Sequence, residues 1–309
     1  MVSGALPPTS SFKLAVLGHP IRHSRSPAMQ LAGFSFLGLA ATYEALDVPP
    51  ECLADRFRQL VAAGYQGWNL TVPLKEAALP LLDWADATVT RAESVNTIVV
   101  RDGRLLGYST DGHGLAAALG EAFGFAISGQ TIAMLGCGGA GRAAAVELAA
   151  RGAARLLLIN RTLDRARQTA ARIAAVNPGC VTACFAPDDP ALPAVLAVAH
   201  LLVQATALGL KPDDPPPLNP AWLPAGRPVF DMIYQSTPLQ RAAAARGCPV
   251  ADGRGMLLHQ GARSFTLWTG RDAPVEAMRR ALNQALAAPE VLIGATLLKK
   301  GDPPALRAS

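Results

Sequence analysis

The sequence is poor in charged and aromatic residues. Charged residues make up 17% of the 309 positions and aromatic residues 6%, whereas apolar residues make up 50%. An average soluble protein carries about 25% charged residues. A chain this apolar and this long can bury a full core, which excludes wholesale disorder. At about 150 residues per domain, the length predicts two domains or one large one.

The sequence also lacks a dense run of basic residues. Its formal net charge is +5, but the arginines and lysines are scattered, and the only adjacent lysines are Lys299 and Lys300. A scattered positive charge suits anionic small ligands and argues against nucleic acid as a partner.

Paired cysteines and targeting segments are missing as well. The five cysteines show no CxxC spacing, which argues against a disulfide framework or a metal site and favours the reducing cytoplasm. Residues Met1–Ser11 lack the basic and apolar regions of a signal peptide. The most apolar stretch, Ala191–Leu210, is interrupted by Pro193, His200 and Gln204, so we expect no membrane span.

Short apolar runs alternate with helical patterns in the first third of the chain. Ser26 and Pro27 are typical of a helix N-cap and its first residue, and they predict a helix toward Leu39. A second helix is predicted over Glu51–Ala63. The predicted strands are Phe12–Leu17, Ala41–Leu46, Gly67–Leu70 and a hairpin of Ser94–Val100 and Arg104–Tyr108 around Asp102-Gly103.

A second alternating series begins at Gln130, after a predicted break over Asp111–Gln130. Two further helices are predicted at Met256–Trp268 and Pro274–Ala288. The other elements of this series are predicted strands at Thr131–Leu135, Leu156–Ile159, Val181–Phe185, Leu201–Val203 and Val229–Met232, with helices at Ala140–Ala150 and Leu163–Ala175.

A glycine-rich motif opens this second series. Gly136-Cys-Gly138-Gly139-Ala-Gly141 fits GxGxxG directly between an apolar strand and an alanine-rich helix. Such glycines let the backbone approach a pyrophosphate at the helix N-terminus. We therefore predict an α/β protein with a Rossmann-type dinucleotide-binding domain over residues 111–253. A substrate domain over residues 1–110, completed by C-terminal helices over about 254–309, is expected to form a cleft with it.

The residues after the next predicted strand indicate which dinucleotide binds. Asn160 lies 24 positions after Gly136, where NAD-type sites usually place an acidic residue for the ribose hydroxyl. The neutral Asn160, followed by Arg161 and then Arg165, suits the 2′-phosphate of NADP instead. An ordinary solvated arginine at a helix start is the alternative interpretation of Arg161.

Two common dehydrogenase signatures are absent. No tyrosine is followed four residues later by lysine, and no Gly-His-Glu occurs. A ketone reductase still needs an acid to protonate the developing alkoxide. Polar residues beside glycine and proline are dense in four segments of the first domain: Gly18–Pro27, Gly67–Lys75, Ser94–Thr97 and Gly107–Gly112.

With these segments the chain resembles the shikimate dehydrogenase family over roughly residues 12–288. The resemblance continues through Gly136–Ala143, Asn160–Thr162, Ala205–Gly209, Asp231–Tyr234 and Gly255–Gly270. It implies that Lys75 and Asp111 form the catalytic pair. It further implies substrate contacts by Ser24, Ser26, Asn69, Thr71, Asn96, Tyr234 and Gln260. The implied NADP contacts are Gly136, Gly138, Gly139, Ala140, Gly141, Asn160, Arg161, Thr162, Arg165, Thr206 and Gly253.

The chain departs from the family pattern at several positions. Gln30-Leu31 stands where the family usually has His-Asn, and Ser109 and Gln204 each replace an asparagine. The segment from Tyr234 to Thr237 is two residues shorter than the family's. These departures lie close enough to the implied site to bear on substrate specificity.

The resemblance implies an NADP-dependent enzyme that reduces 3-dehydroshikimate to shikimate in aromatic amino-acid biosynthesis. A dehydrogenase of quinate or another hydroxylated cyclohexane carboxylate is the nearest alternative. A non-catalytic sensor of such ligands is another, although pure binding would not need both Lys75 and Asp111. We expect a cytoplasmic monomer or homodimer with a small-molecule substrate and without nucleic acid, membrane or metal.

Overall fold

The computed structural model describes residues 11–211 and 213–287, which separate into two compact units. The first comprises residues up to Trp84, Thr97–Leu106 and residues from Ser264 onward, and the second comprises Ala85–Asn96 and Gly107–Arg263. The predicted C-terminal completion of the substrate domain falls partly on residues 288–309, which lie outside the described residues.

A six-stranded sheet lies largely in the first unit. Its strands are β1 (Phe12–Gly18), β2 (Ala41–Asp47), β3 (Gly67–Leu70), β4 (Trp84–Ala85), β5 (Thr97–Arg101) and β6 (Arg104–Tyr108), in the order β2-β1-β3-β5-β6-β4. Strands β1, β2 and β3 are parallel, whereas β5 runs antiparallel to β3. The helices of this part of the chain are α1 (Ser26–Phe36), α2 (Leu53–Ala62) and α3 (Leu74–Ala77).

The predicted hairpin is confirmed. Asp102 and Gly103 both have positive φ, 51° and 74°, which is the backbone that a two-residue turn of this type needs. Asp tolerates this region better than most residues and Gly adopts it freely, so the dipeptide fixes the turn between β5 and β6.

The start of α1 differs from its prediction. Arg25, not Ser26, is the N-cap, because the Arg25 carbonyl accepts the first helical hydrogen bond from Met29 at 3.4 Å. Ser26 is the first helical residue, and its N–H donates to the Ser24 hydroxyl at 3.4 Å. The helix also ends at Phe36 rather than Leu39, since Gly38 adopts positive φ two residues later.

Aromatic rings fill the core of the first unit. Phe34 lies between Phe12 and Phe265, with ring centroids 5.1 and 4.7 Å away. A Cβ on Gly33 would lie 3.1 Å from the Phe265 ring, so the helix packs tightly against that ring at this position. Trp68, fully buried, packs edge-on against Phe57.

The second unit contains a six-stranded parallel sheet. Its strands are β7 (Thr131–Leu135), β8 (Arg155–Ile159), β9 (Val181–Phe185), β10 (Leu201–Gln204), β11 (Val229–Asp231) and β12 (Val250–Ala251), in the order β12-β11-β10-β7-β8-β9. The direction of the order reverses between β7 and β10, as in a dinucleotide-binding Rossmann sheet. Near-continuous apolar runs suit β7, β8 and β10 because helices cover both faces of such a sheet.

The helices from α4 to α11 complete the described chain. Their bounds are α4 (Ala87–Ala92), α5 (Asp111–Phe123), α6 (Gly139–Ala150), α7 (Leu163–Val176), α8 (Leu192–Ala197), α9 (Pro238–Ala245), α10 (Arg254–Thr269) and α11 (Val275–Ala287). Among the described residues, no helix combines the length and the apolar character needed to cross a membrane.

The predicted break over Asp111–Gln130 is largely a helix. Helix α5 packs on α6, and its glycines are the reason that its sequence does not look helical. A Cβ on Gly112 would collide with the Glu147 side chain, and one on Gly114 would lie 2.6 Å from the Met256 carbonyl. The close packing of the helices therefore requires glycine at these two positions, although glycine has a low helix propensity.

Candidate functional site

The glycine-rich loop lies at the reversal point of the second sheet. Gly136 follows β7 with φ of 97°, and a Cβ there would lie 2.8 Å from the Thr206 methyl group. A Cβ on Gly141 would collide with the Gly136 carbonyl oxygen, whereas the space above Gly138 is open. Helix α6 begins at Gly139, so its N-terminal N–H groups face the loop. These residues fit a pyrophosphate, since the backbone can approach it closely at a helix N-terminus.

The Asn160 side chain links the glycine-rich loop to the end of β8 by hydrogen bonds. Its Oδ1 accepts a hydrogen bond from the Cys137 N–H at 2.9 Å, and its Nδ2 donates to the Thr162 carbonyl at 2.8 Å. Asn160 thus has a local structural role. The side chains of Arg161 and Arg165 are exposed and follow the end of β8 in the chain.

Three predicted substrate and catalytic residues meet in a polar cluster of the second unit. The Asn96 Nδ2 donates to Asp111 Oδ1 at 2.9 Å and to Gln260 Oε1 at 3.2 Å. The Thr110 N–H donates to Asn96 Oδ1 at 2.7 Å, which fixes the orientation of the amide. Asn96, Thr110 and Gln260 are buried, and Asp111 is half-buried. Sequence reasoning missed Thr110, although it directly precedes Asp111.

The first unit holds the other predicted catalytic residue. Lys75 lies on α3, four residues after Thr71, and is half-buried. The segment of Thr71 packs against the loop after β1, because the Thr71 N–H donates to the Leu17 carbonyl at 2.9 Å and a Cβ on Gly18 would collide with the Thr71 methyl group. Ser24 lies later in the same loop and is half-buried.

Asn69 lies in a second buried polar network. Its Oδ1 accepts from the Tyr43 hydroxyl at 2.7 Å, and its Nδ2 donates to the Thr97 and Ser264 hydroxyls at 3.0 and 3.1 Å. The hydroxyls of Thr97 and Ser264 lie 2.8 Å apart. All four residues are buried, so the network joins β2, β3, β5 and α10 within the first unit. Nothing in the sequence spacing indicates that these four side chains meet.

A buried carboxylate organises the shortened segment that contains Tyr234. Asp231 Oδ1 accepts from the Ile233 N–H at 3.0 Å, and its Oδ2 accepts from the Thr237 hydroxyl at 2.7 Å. Thr237 also caps α9 through the Gln240 N–H at 3.1 Å. Burial raises the pKa of Asp231 above its usual range despite these hydrogen bonds, and the Asp252 carboxylate adds to the rise.

This raised pKa gives stability a definite pH dependence. Between the usual carboxyl pKa and the raised one, folded Asp231 binds its proton more tightly than the unfolded chain does, so its contribution to stability improves as the pH falls. We expect Asp231→Asn to lose this gain, so that the free energy of unfolding rises less on acidification across that window, as measured by urea unfolding at several pH values. The exposed Asp188→Asn is the control. Identical pH slopes in wild type and Asp231→Asn would contradict this assignment.

The remaining implied residues lie around the second sheet. Thr206 contacts Gly136 as described, and the buried Gly253 lies against the Met232 backbone, where a Cβ would collide with the carbonyl oxygen. Among the departures from the family pattern, Gln30 is buried in α1, and the Ser109 N–H donates to the Thr88 hydroxyl at 3.1 Å. Gln30 thus lies inside a helix, and Ser109 lies in the short connection between β6 and α5.

A glycine-rich loop at the reversal point of a parallel sheet, in a chain that also carries a polar cluster around Asp111, defines a dinucleotide-binding enzyme of the dehydrogenase class. A family model of the shikimate dehydrogenase substrate binding domain matches residues 16–98, and one of the shikimate 5′-dehydrogenase C-terminal domain matches residues 253–282. The shikimate dehydrogenase (NADP(+)) of Moorella thermoacetica is 43% identical over 279 residues, covering 89% of this chain and 94% of that protein. The chain belongs to the shikimate dehydrogenase family, which confirms the resemblance and the predicted fold class.

Solved structures agree with this assignment. The shikimate 5-dehydrogenase of Thermus thermophilus, in complex with NADP(H) and shikimate, matches with a TM-score of 0.78 and 39% identity over 89% of this chain and 99% of that one. The ligand-free 5-ketofructose reductase of Gluconobacter sp. strain CHM43 matches with a TM-score of 0.80 and 31% identity, again over 89% and 99%. The same architecture therefore occurs with more than one substrate.

Proposed function

We propose that the protein catalyses the reversible, NADP-dependent reduction of 3-dehydroshikimate to shikimate. The observation that carries this proposal is the cluster of Asn96, Asp111 and Gln260 in the same unit as the glycine-rich loop. It pairs a carboxylate with amide groups that can hold a polyhydroxylated ring, in a chain of the shikimate dehydrogenase family. When bound, NADPH supplies the hydride for the reduction.

Residues of the chain supply the proton that the reduction consumes. Reduction of a ketone creates an alkoxide, and the ammonium of Lys75 is proposed to donate a proton to that oxygen. Asp111 is proposed as the carboxylate partner that keeps the site charge-balanced and helps the lysine recover its proton. The Asn96 amide donates to Asp111 Oδ1 at 2.9 Å, which fixes the position of the Asp111 side chain.

The substrate's carboxylate is proposed to bind Ser24 and Ser26. Ser24 lies in the loop after β1, and Ser26 begins α1, so both hydroxyls lie at the N-terminus of that helix, where its dipole favours an anion. Thr71, Asn96, Tyr234 and Gln260 are proposed to contact the ring substituents, and Asn69 to support them from its buried network. Arg161 and Arg165 are proposed to bind the 2′-phosphate of NADP.

The proposal predicts that the purified protein converts 3-dehydroshikimate to shikimate with oxidation of NADPH, as chromatography of the product and the loss of NADPH absorbance would show. Ser24→Ala and Ser26→Ala are each expected to raise the KM for shikimate by about tenfold, the cost of one hydrogen bond to a charged group, while the KM for NADP stays near its original value. The exposed Ser35→Ala on α1 is the matched control. Absence of shikimate among the products would refute the proposed function.

We place the reaction in the cytoplasm, with the chain acting as a monomer or homodimer. All five cysteines lie within the described residues and are free thiols, and Cys137 of the glycine-rich loop is buried. Burial raises the pKa of the Cys137 thiol to about 11, so this cysteine is a packing residue rather than a nucleophile.

A further inference from the structure

Gln204 stands at the end of β10, directly across the reversal point of the sheet from the glycine-rich loop. Its side chain is fully buried. Strand β7 separates β10 from β8, so the loop after β10 and the residues Asn160 and Arg161 lie on opposite sides of the crevice that a dinucleotide would span. The loop that begins at Gln204 is therefore placed beside the half of the cofactor that does not carry the 2′-phosphate.

The Gln204 carboxamide is hydrogen-bonded to the loop that follows it. Its Oε1 accepts from the Thr206 N–H at 2.6 Å, and its Nε2 donates to the Thr206 carbonyl at 3.2 Å and to the Leu208 carbonyl at 3.1 Å. The Thr206 hydroxyl accepts from the Leu208 N–H at 3.1 Å. From the other side, Asp214 Oδ2 accepts from the Gly209 N–H at 2.9 Å. The buried Gln204 side chain thus makes three of the hydrogen bonds that fix the backbone from Thr206 to Leu208.

This loop contacts the glycine-rich loop. A Cβ on Gly136 would lie 2.8 Å from the Thr206 methyl group and 3.0 Å from the Ala205 carbonyl, and one on Gly141 would lie 3.1 Å from the Ala205 Cβ. The two loops therefore touch where the backbone has to approach a pyrophosphate closely. A shift of Thr206 would change the shape of the cofactor site without touching the residues beside Arg161.

Glutamine is the residue that this loop geometry requires. Asparagine, which the family usually carries here, is shorter by one methylene, so its amide would lie about 1.5 Å further back. It could not hold the Thr206 N–H and the Leu208 carbonyl at the same time without moving the loop. The conformation of this loop thus depends on having glutamine, rather than the asparagine usual in the family, at position 204.

We propose that Gln204 is a positioning residue that shapes the Ala205–Leu208 loop into one wall of the cofactor site and thereby sets the affinity for NADP. The inference rests on the proposed function, because NADP is the cofactor concerned. It predicts an effect on the part of the dinucleotide that NAD and NADP share. A substitution at Gln204 should therefore weaken both cofactors equally, unlike a substitution at Arg161.

The test is a calorimetric titration of the intact protein with NADP and with NAD, without turnover. Gln204→Met keeps the length of the side chain and removes its hydrogen bonds, and it is expected to raise both dissociation constants by at least about tenfold. The KM for shikimate should stay near the wild-type value. Gln168→Met, at an exposed position of α7, is the control for the added methionine.

A second variant keeps the inference testable if Gln204→Met does not fold. Gln204→Asn retains the carboxamide and is expected to give intermediate dissociation constants for both cofactors. Wild-type dissociation constants in a folded variant would overturn the inference, as would a loss confined to NADP or a KM for shikimate that rises equally. A wild-type protein that binds neither cofactor would instead refute the proposed function.

Discussion

Replacing Lys75 by alanine is expected to lower kcat for shikimate oxidation by about 10²–10⁴, the usual contribution of a general acid–base group. Lys75→Arg should be almost as inactive, because guanidinium keeps the positive charge but does not release a proton near neutral pH. Comparing these two variants separates the contribution of proton transfer to kcat from that of the positive charge alone. Steady-state kinetics with saturating NADP give the measurement.

Asp111→Asn is expected to lower kcat by a similar factor, since asparagine keeps the shape of the side chain but not its charge. The new amide would also face the Asn96 Nδ2, which now donates to Asp111 Oδ1 at 2.9 Å. Asp188→Asn, exposed and in the same unit, is the control. Near-normal kcat in both the Lys75 and the Asp111 variants would end the catalytic assignment.

Arg161→Ala is expected to raise the KM for NADP by about one to two decades, because a hydrogen bond to a charged group contributes about 1.5–3 kcal/mol. Activity with NAD should hardly change, since NAD has no 2′-phosphate. Arg167→Ala on the following helix is the control, as Arg167 pairs instead with Asp164 at 2.8 Å. An equal loss with both cofactors would show that Arg161 supports the fold.

Asn160 is a poor place to test cofactor choice, and the structure shows why. The sequence suggests that Asn160→Asp would repel the 2′-phosphate and favour NAD. The Asn160 Nδ2, however, donates to the Thr162 carbonyl, so an aspartate oxygen there would face another oxygen. The substitution would disturb the loop as well as the charge, and Arg161 is the cleaner position.

Most of the strands were predictable because their apolar runs are short and sharply bounded, whereas the two-residue strands β4 and β12 were not predicted. β3 and β7 have the predicted bounds, and the Asp102-Gly103 turn adopts the predicted backbone. Several helices escaped prediction, and for two of them the structure shows the physical reason. Helix α5 carries glycines that its neighbours require, and the six-residue helix α4 packs on α6, which supplies the stability that so short a helix lacks by itself.

The candidate site likewise has one part that could be predicted from the sequence and one part that could not. The spacing of Gly136–Gly141 between a strand and a helix was enough to predict a dinucleotide loop. The hydrogen bonds of Asn69 with Tyr43 and Ser264 join residues up to 195 positions apart in the sequence, which no local pattern encodes. Thr110 and Gln204 likewise gain their importance from backbone contacts that only the folded chain provides.

The most direct test of the account is the kcat/KM of the purified protein for shikimate and for quinate, each with NADP and with NAD. Quinate carries an additional hydroxyl beside its carboxylate, and an unpaired buried hydroxyl costs about 1–3 kcal/mol. The account predicts the highest value for shikimate with NADP, at least about tenfold above quinate, a factor that needs only about 1.4 kcal/mol. A preference for quinate, or turnover of neither acid, would contradict it.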